Sequence, residues 1–545
     1  MMMKKIKDIL LYSVMAVALT NTVGCSNSFF DRYPSDSMQM ETYMKNESEV
    51  QTILLDVYYY LQTVSQNVVY VNSLCTDEAY DYKINNATDF INMNESTWDA
   101  TLGITASIWS DCYKMINRCN NVIEKAGNVS SANKARFEGE ACFFRAYAYF
   151  TLVRLFGPVP LTTTVIDDYS TLYGYGRSGV DEVYKQINAD LATAIANLPD
   201  SYEAGTSSGR ATRLAAYTMQ AEVDMTRNDF VSAKKSLQQV INYANANTGK
   251  LGLQASIADI YGSDKPMNKE IILAAQFNNG ATVVANDLMK RSIPNVSPGT
   301  QPSYTYADGT KSTISCSQGT SCLLMTWELY NLLRSHPNDK RYKEMTYDGI
   351  YDTRQSISKQ TAEVKVNANG YAYLPTTLKY YDFGNQGLTK CASGCDNIIY
   401  RYADVLLMYA ECLNEAGATA EAASWLNLVR TRAGLDNTTA ATKNEMAKAI
   451  EDERLLELCF EGHRWYDLVR TGRLNGVMVA HFNHRTPGLS ATLQANDNGM
   501  VVKDCNSTQG TPLKWKFADG KTAPLFAIPY SQTQLMKGWK QNEGY

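Results

Sequence analysis

Apolar residues recur every three or four positions along much of this chain. That spacing predicts helices over 41–61, 104–126, 132–156, 179–198, 210–226 and 229–246. The same period returns over 323–335, 397–416, 419–433, 442–461 and 463–471. Local punctuation agrees with several of these ends. Asp229 is placed to cap a helix starting at Phe230, Gly157-Pro158 stops the block ending at 156, and Gly434 follows the block ending at 433. Two stretches read as helix pairs with short turns. One is Ala211 to Ile241, turning at Arg227-Asn228-Asp229; the other is Tyr402 to Arg432, turning at Ala416-Gly417-Ala418.

Both pairs carry small residues where helices must approach closely: Ala215, Ala216, Ala221 and Ala233 in the first, and Ala410, Ala416, Ala422 and Ala423 in the second. This spacing is tetratricopeptide-like, with repeats of about 34 residues stacking to share a core. The fold class expected is therefore mainly α, with small β content. Long irregular stretches separate the helical blocks at 63–103, 247–322, 346–396 and 473–525. Loops of that length are usually functional when ordered. These are rich in aromatics: Tyr70, Tyr80, Tyr82 and Trp98 in the first, Tyr304 and Tyr306 in the second, then Tyr351, Tyr371, Tyr373, Tyr380 and Tyr381.

The N-terminus changes the picture of where the chain works. Lys4, Lys5 and Lys7 precede an apolar run from Ile9 to Leu19, and small residues lead into Cys25. These are the parts of a secretion signal. The run is about half the ~20 residues needed to cross a bilayer. Thr22-Val23-Gly24-Cys25 resembles a bacterial lipobox, with Thr where Leu is commoner. The expectation is cleavage after residue 24 and lipidation of Cys25, leaving one domain over 25–545.

A net charge of −5 with both signs interspersed argues against a nucleic-acid partner. Of twelve cysteines, Cys112, Cys119, Cys142, Cys412 and Cys459 fall in apolar helical patterns and read as core. Cys316 with Cys322, and Cys391 with Cys395, flank Gly- and Ser-rich loops, and export makes local disulfides the expected pairing.

Several motifs together resemble the SusD/RagB family. They are RFEGEACFFRAYAYFTLVRLFGPVPL at Arg136 to Leu161, RYADVLLMYAECLNEAG from Arg401, LNLVRTRAGL from Leu426, and IEDERLLELCFEGHRWYDLVRTG at Ile450 to Gly472. IPYSQ and a closing QNEGY follow, while FFDRYP from Phe29 and Thr76-Asp77-Glu78-Ala79 fit the beginning. The resemblance implies an outer-membrane lipoprotein facing the cell exterior. It would capture oligosaccharide, or peptide in some members, and act as the lid of a SusC-like TonB-dependent transporter. It implies no cofactor, and ligand loops at about 63–103 and 247–322. From those loops the expected ligand residues are Asp77, Tyr80, Tyr82, Lys83, Trp98, Tyr304 and Tyr306. Flat aromatic faces suit a sugar ring, and acids, amides and cations suit its hydroxyls. A peptide-binding lid and a glycoside-active enzyme are the alternatives.

The motif with Glu457, Glu461, His463, Arg464, Trp465, Asp467 and Arg470 looks like a site, with His463 as a base oriented by Glu461. Helical spacing favours packing instead, since Arg454, Glu457 and Glu461 fall at i, i+3 and i+7 and are expected to pair. Of the four histidines, His481 and His484 have metal-ligand spacing only if helical, and neighbouring Asn483, Pro487 and Gly488 read as loop. No metal or catalytic residue is assigned.

Overall fold

The apolar pattern that opens near residue 41 becomes helix α1 (Glu47–Leu74), begun by Asn46, whose side chain accepts the Glu49 amide. It runs thirteen residues beyond the predicted end at 61. Val64, Val68, Val69 and Val71 lower intrinsic helix propensity. Their burial, with Leu74, in the core outweighs that cost. The computed structural model describes residues 44–545 apart from 82–86, 167–173, 203–208, 279–284, 294–302, 306–310, 314–318, 353–363, 367–371, 383–392, 485–500, 504–513 and 537. For 303–305, 311–313, 347–352, 364–366, 372–374 and 501–503, and for 131, 132, 327 and 484, it describes the backbone alone.

Helices α2 (Thr88–Glu95), α3 (Gly103–Lys125), α4 (Ser131–Phe156), α5 (Val180–Asn197), α6 (Arg213–Thr226) and α7 (Phe230–Ala246) follow. Short α8 (Leu288–Ser292), α9 (Trp327–Arg334) and α10 (Lys340–Met345) lie mid-chain. The second helical block is α11 (Tyr402–Glu415), α12 (Thr419–Arg432), α13 (Lys443–Leu458), α14 (Arg464–Arg470) and α15 (Leu474–His484), with α16 (Tyr530–Leu535) near the end. Packing runs neighbour to neighbour: α1 on α3, then α4, α5, α6 and α7 in succession, and α7 on α11, which holds α12 and α13. This is the stacked helix-pair scaffold expected from the sequence. The turn at Asn228 takes a left-handed φ of 62°, and Gly417 takes 82°. Ala215, Ala216, Ala221, Ala233, Ala410 and Ala422 are buried at helix contacts. Ala416 instead ends α11 in solvent.

The strands are antiparallel. β1 (Ala79–Tyr80) pairs with β5 (Leu324–Met325), β2 (Ile271–Ala275) with β9 (Asn397–Arg401), and β3 (Ser303–Thr305) with β4 (Lys311–Thr313). β6 (Thr346–Asp352), β7 (Val364–Val366), β8 (Ala372–Thr377) and β10 (Val501–Lys503) form a sheet ordered β10-β7-β8-β6. The first five residues of the helix predicted over 397–416 are therefore strand. Every one of them is buried, a pattern that periodicity cannot separate from a buried helix; the partner β2 lies more than a hundred residues away. Conversely, the stretch 473–525, irregular by its pattern, contains α15. Among the described residues no helix is long and apolar enough to cross a membrane.

At the junction of β9, α12 and α13 sits a buried ionic cluster. Arg401, about 1 % exposed, reaches Glu457 at 2.5 Å, Glu461 at 2.7 Å and Glu270 at 3.0 Å. Arg432 also pairs with Glu270 (3.0 Å) and Glu457. Arg341 bridges Asp339 (2.8 Å), Glu453 (2.6 Å) and Glu457 (3.2 Å), while Lys379 meets Glu461 at 2.5 Å. Burial alone would raise these carboxyls. The guanidiniums of Arg432, Arg401 and Arg341 nevertheless hold Glu457 well below the usual range, and Arg401 with Lys379 brings Glu461 to about 2. Arg454 does not pair with Glu457 and Glu461, as spacing suggested. It turns to Asp404 and Asp467, each at 2.7 Å, because Glu461 lies past the end of α13 and faces Arg401.

The signature of α4 is likewise structural. Arg145 forks onto Asp190 at 2.9 and 2.6 Å. Arg154 lies between the rings of Phe150 and Tyr466, 3.7 and 3.6 Å from their centres, and reaches Glu222 at 2.5 Å.

The buried carboxyl of Glu78 is held by hydrogen bonds rather than by an ion pair. Glu78 accepts from the Ser73 hydroxyl at 2.8 Å and the Phe460 amide at 3.2 Å, and burial pushes its pKa up to about 8 against those two bonds.

Two outcomes follow. Arg401→Met removes the one cation shared by Glu270, Glu457 and Glu461, leaving each with fewer partners in a buried cluster, and costs about 3–5 kcal/mol in denaturant unfolding; a loss under 1 kcal/mol would remove Arg401 from that central role. The second concerns pH. Glu461 contributes stability above about pH 4.5 that is lost as pH falls toward 2, whereas Glu78 contributes below about pH 4.5 and its share drains away as pH rises toward 8. Glu78→Gln should therefore gain Tm relative to the parent between pH 5 and pH 8. A pH-independent difference would contradict a protonated Glu78.

Candidate functional site

The chain leaving α1 at Cys75 passes through Thr76-Asp77-Glu78 into β1, and the sequence 250 residues later returns beside it. Thr326 makes that join. Its amide donates to Glu78 O at 3.0 Å and its hydroxyl to Asp77 O at 2.6 Å. The same hydroxyl accepts the Leu329 amide at 3.2 Å and so caps α9. The early and mid-chain segments expected to share a ligand site are thus joined by backbone pairing, Ala79 opposite Met325 and Tyr80 opposite Leu324.

Five side chains from three parts of the chain meet at this edge. Arg464, at the start of α14, grips Asp77 through a two-pronged contact of 2.8 Å on each arm. Burial would raise the Asp77 carboxyl, but the Arg464 guanidinium lowers it overall. Tyr80 donates to Glu328 Oε2 at 3.3 Å, and Nδ1 of His481 faces Glu328 Oε1 at 2.9 Å. The Tyr80 and His481 rings stack with centres 5.8 Å apart. Glu328, 31 % exposed at its side chain, is likewise lowered by His481 against its own burial. The arrangement is a firm hydrogen-bonding floor with one carboxylate open to solvent.

Three expected ligand residues are thereby reassigned. Trp98 is about 1 % exposed, stacked on Phe526 with centres 5.4 Å apart and edge-on to Trp465 and Trp515. Its indole nitrogen donates to the Tyr545 hydroxyl at 2.8 Å. It is core, because partners from the C-terminal end close over a segment that sequence alone leaves exposed. Tyr80 is buried in the floor, and Asp77 is committed to Arg464. Tyr82, Lys83 and Tyr306 lie outside the described residues, as does the lipidation candidate Cys25. Tyr304 lies on β3 opposite Ser312. Tyr70, Tyr380 and Tyr381, read as loop aromatics, are buried.

The cysteine expectation also changes. Cys322 and Cys395 are free, buried thiols, raised to about 12 by burial, and Cys322 donates to Thr320 O at 3.3 Å. Cys316 and Cys391 lie outside the described residues. Glu461 does not orient His463, since Arg401, Lys379 and Tyr261 occupy its oxygens. Glu328 and His481 were missed as site residues. Glu328 sits in the helical block predicted over 323–335, where it carries no separate signal, and His481 falls in a segment that reads as loop, whereas it lies on α15. No group of three His, Cys, Asp or Glu that would hold a metal occurs among the described residues.

Comparison with known proteins matches this architecture. A "SusD-like protein P2" of Formosa agariphila is 27% identical, the match covering 83% of this chain and 89% of the relative. Solved structures share the fold. A laminarin-binding SusD-like protein has a TM-score of 0.67 at 24% identity, covering 92% of this chain and all of the other. Surface glycan-binding protein A of Bacteroides fluxus has 0.66 at 22%, again over 92% of this chain and all of its own. The profile described as "Starch-binding associating with outer membrane" matches residues 28–225, and that of the SusD family matches 269–545; this chain belongs to the SusD family.

Proposed function

We propose that this protein is a non-catalytic, lipid-anchored glycan-binding protein of the outer-membrane exterior, which captures oligosaccharide and passes it to a TonB-dependent transporter as its lid. The observation that carries the reading is the family match along nearly all of the chain, joined to fold relatives that bind laminarin and surface glycans. The β1–β5 edge supports it physically. Asp77, Tyr80, Glu328 and His481 form a pre-ordered floor, so little side-chain entropy is lost when ligand arrives. Tyr82 and Lys83 follow Tyr80 directly in sequence, and Tyr304 and Tyr306 belong to the mid-chain segment, so these four remain the candidate contacts. Low, cation-held carboxyl groups such as Glu457 and Glu461 are unsuited to acting as general acids near neutral pH.

Affinity electrophoresis of the protein through gels containing laminarin, starch, xylan, pectin or sialylated mucin should show retardation by at least one of them. Tyr82→Ala with Tyr304→Ala should weaken that retardation about tenfold at unchanged Tm, whereas Trp98→Ala should lower stability by about 3–5 kcal/mol. Retardation by none of the gels would sink the glycan reading. For the anchor, Cys25→Ala should move the protein from the detergent phase to the aqueous phase after Triton X-114 partition. A variant that stays in the detergent phase would exclude lipidation at Cys25.

A further inference from the structure

A second cleft lies well away from the β1–β5 edge. Its base is a stripe on α3, where Trp109, Tyr113 and Asn117 fall at i, i+4 and i+8 on one face. Tyr60 of α1 forms one wall, and Gln532 and Trp539 near the C-terminus form another. The cleft measures about 470 Å³, within the roughly 300–1,000 Å³ of small-molecule clefts. Its rings are fixed before any ligand arrives. The Tyr113 hydroxyl donates to Pro160 O at 2.8 Å, and the Trp539 indole donates to Tyr175 O at 3.1 Å. Trp109 and Trp539 lie 6.2 Å apart centre to centre, and Trp109 and Tyr113 5.2 Å.

We infer that this cleft is a second carbohydrate-binding groove, taking uncharged pyranose units of the glycan whose capture is proposed above, on which it rests. Three observations select that occupant. Tyr60, Tyr113 and Trp539 are half-buried, offering ring surface at low entropic cost to the C–H face of a sugar. Asn117 lines the cleft beside the rings, and its Oδ1 has no hydrogen-bond partner among the described residues, leaving an acceptor for a ligand hydroxyl. The cations at the rim are already neutralised: Lys114 by Asp111 at 2.9 Å and Arg118 by Asp56 at 2.6 Å. An anionic sugar, nucleotide or acidic peptide therefore finds no unpaired cation among the described lining residues, whereas a neutral polyol needs none. α1 runs from Tyr60 at this groove to Leu74 beside the first site, about 21 Å at 1.5 Å per residue, so one long chain or two short ones can engage both.

The test uses the oligosaccharide released from whichever polysaccharide retards the protein. Calorimetry on the mature chain should give two sites, and Tyr60→Ala with Gln532→Ala should leave one and weaken gel retention about tenfold. Gln532→Ala alone, at a half-buried position on the cleft wall, should give a smaller loss in the same direction at unchanged Tm. Tyr82→Ala with Tyr304→Ala should leave the groove's site intact. Retention and stoichiometry unchanged by both groove variants would overturn the groove while leaving the glycan reading standing. Binding at the groove that requires a charged sugar and vanishes in Lys114→Ala would overturn the neutral occupant. Retardation by no polysaccharide would fail the parent reading, and the groove with it.

Discussion

Arg401 sits where strand becomes helix, and the ion pairs it makes fix the relation between otherwise separate parts of the chain. Its guanidinium ties β9 to Glu270 beside β2, to Glu457 on α13 and to Glu461 in the turn beyond it. Charges this deeply buried are tolerable only when matched, and here five carboxylates meet Arg341, Lys379, Arg401, Arg432 and, from the edge, Arg430. Such a cluster adds less to net stability than an apolar core of equal size. What it supplies is register: in this arrangement every charge has an opposite partner, and misplacing any element weakens several pairs at once.

The floor of the candidate site inherits that register. Phe460, in a left-handed turn between Glu457 and Glu461, gives its amide to Glu78, and Arg464 a few residues on holds Asp77. The β1 segment is thus placed by the same turn that the ionic cluster orients. A second layer comes from the aromatic group around Trp98, Trp465, Trp515 and Phe526, which draws residues from both ends of the chain together. Helices carry Glu328, Arg464 and His481 of the floor, and the short strand β1 carries Tyr80. The residues of the family-like motifs are salt bridges and core aromatics, and they build this frame.

The sequence by itself determined the helical scaffold. Periodicity, alanines at close contacts, Asp229 as a cap and the turn at Gly417 are local signals, and the motifs named the family because they encode that frame. Even the reading of α13 and α14 as packing elements was legible, since crowded alternating charges on apolar helices need partners. Tertiary structure decided what local pattern cannot carry. Residues 397–401 are strand because β2 pairs with them from far away, and α1 continues through its valines because the core buries them. Trp98 is core because Phe526 and Trp515 arrive from the chain's other end, and His481 meets Glu328 across 153 residues. Each depends on a contact between distant segments, and an isolated stretch of sequence contains the propensity of its own residues but not the identity of what will cover them.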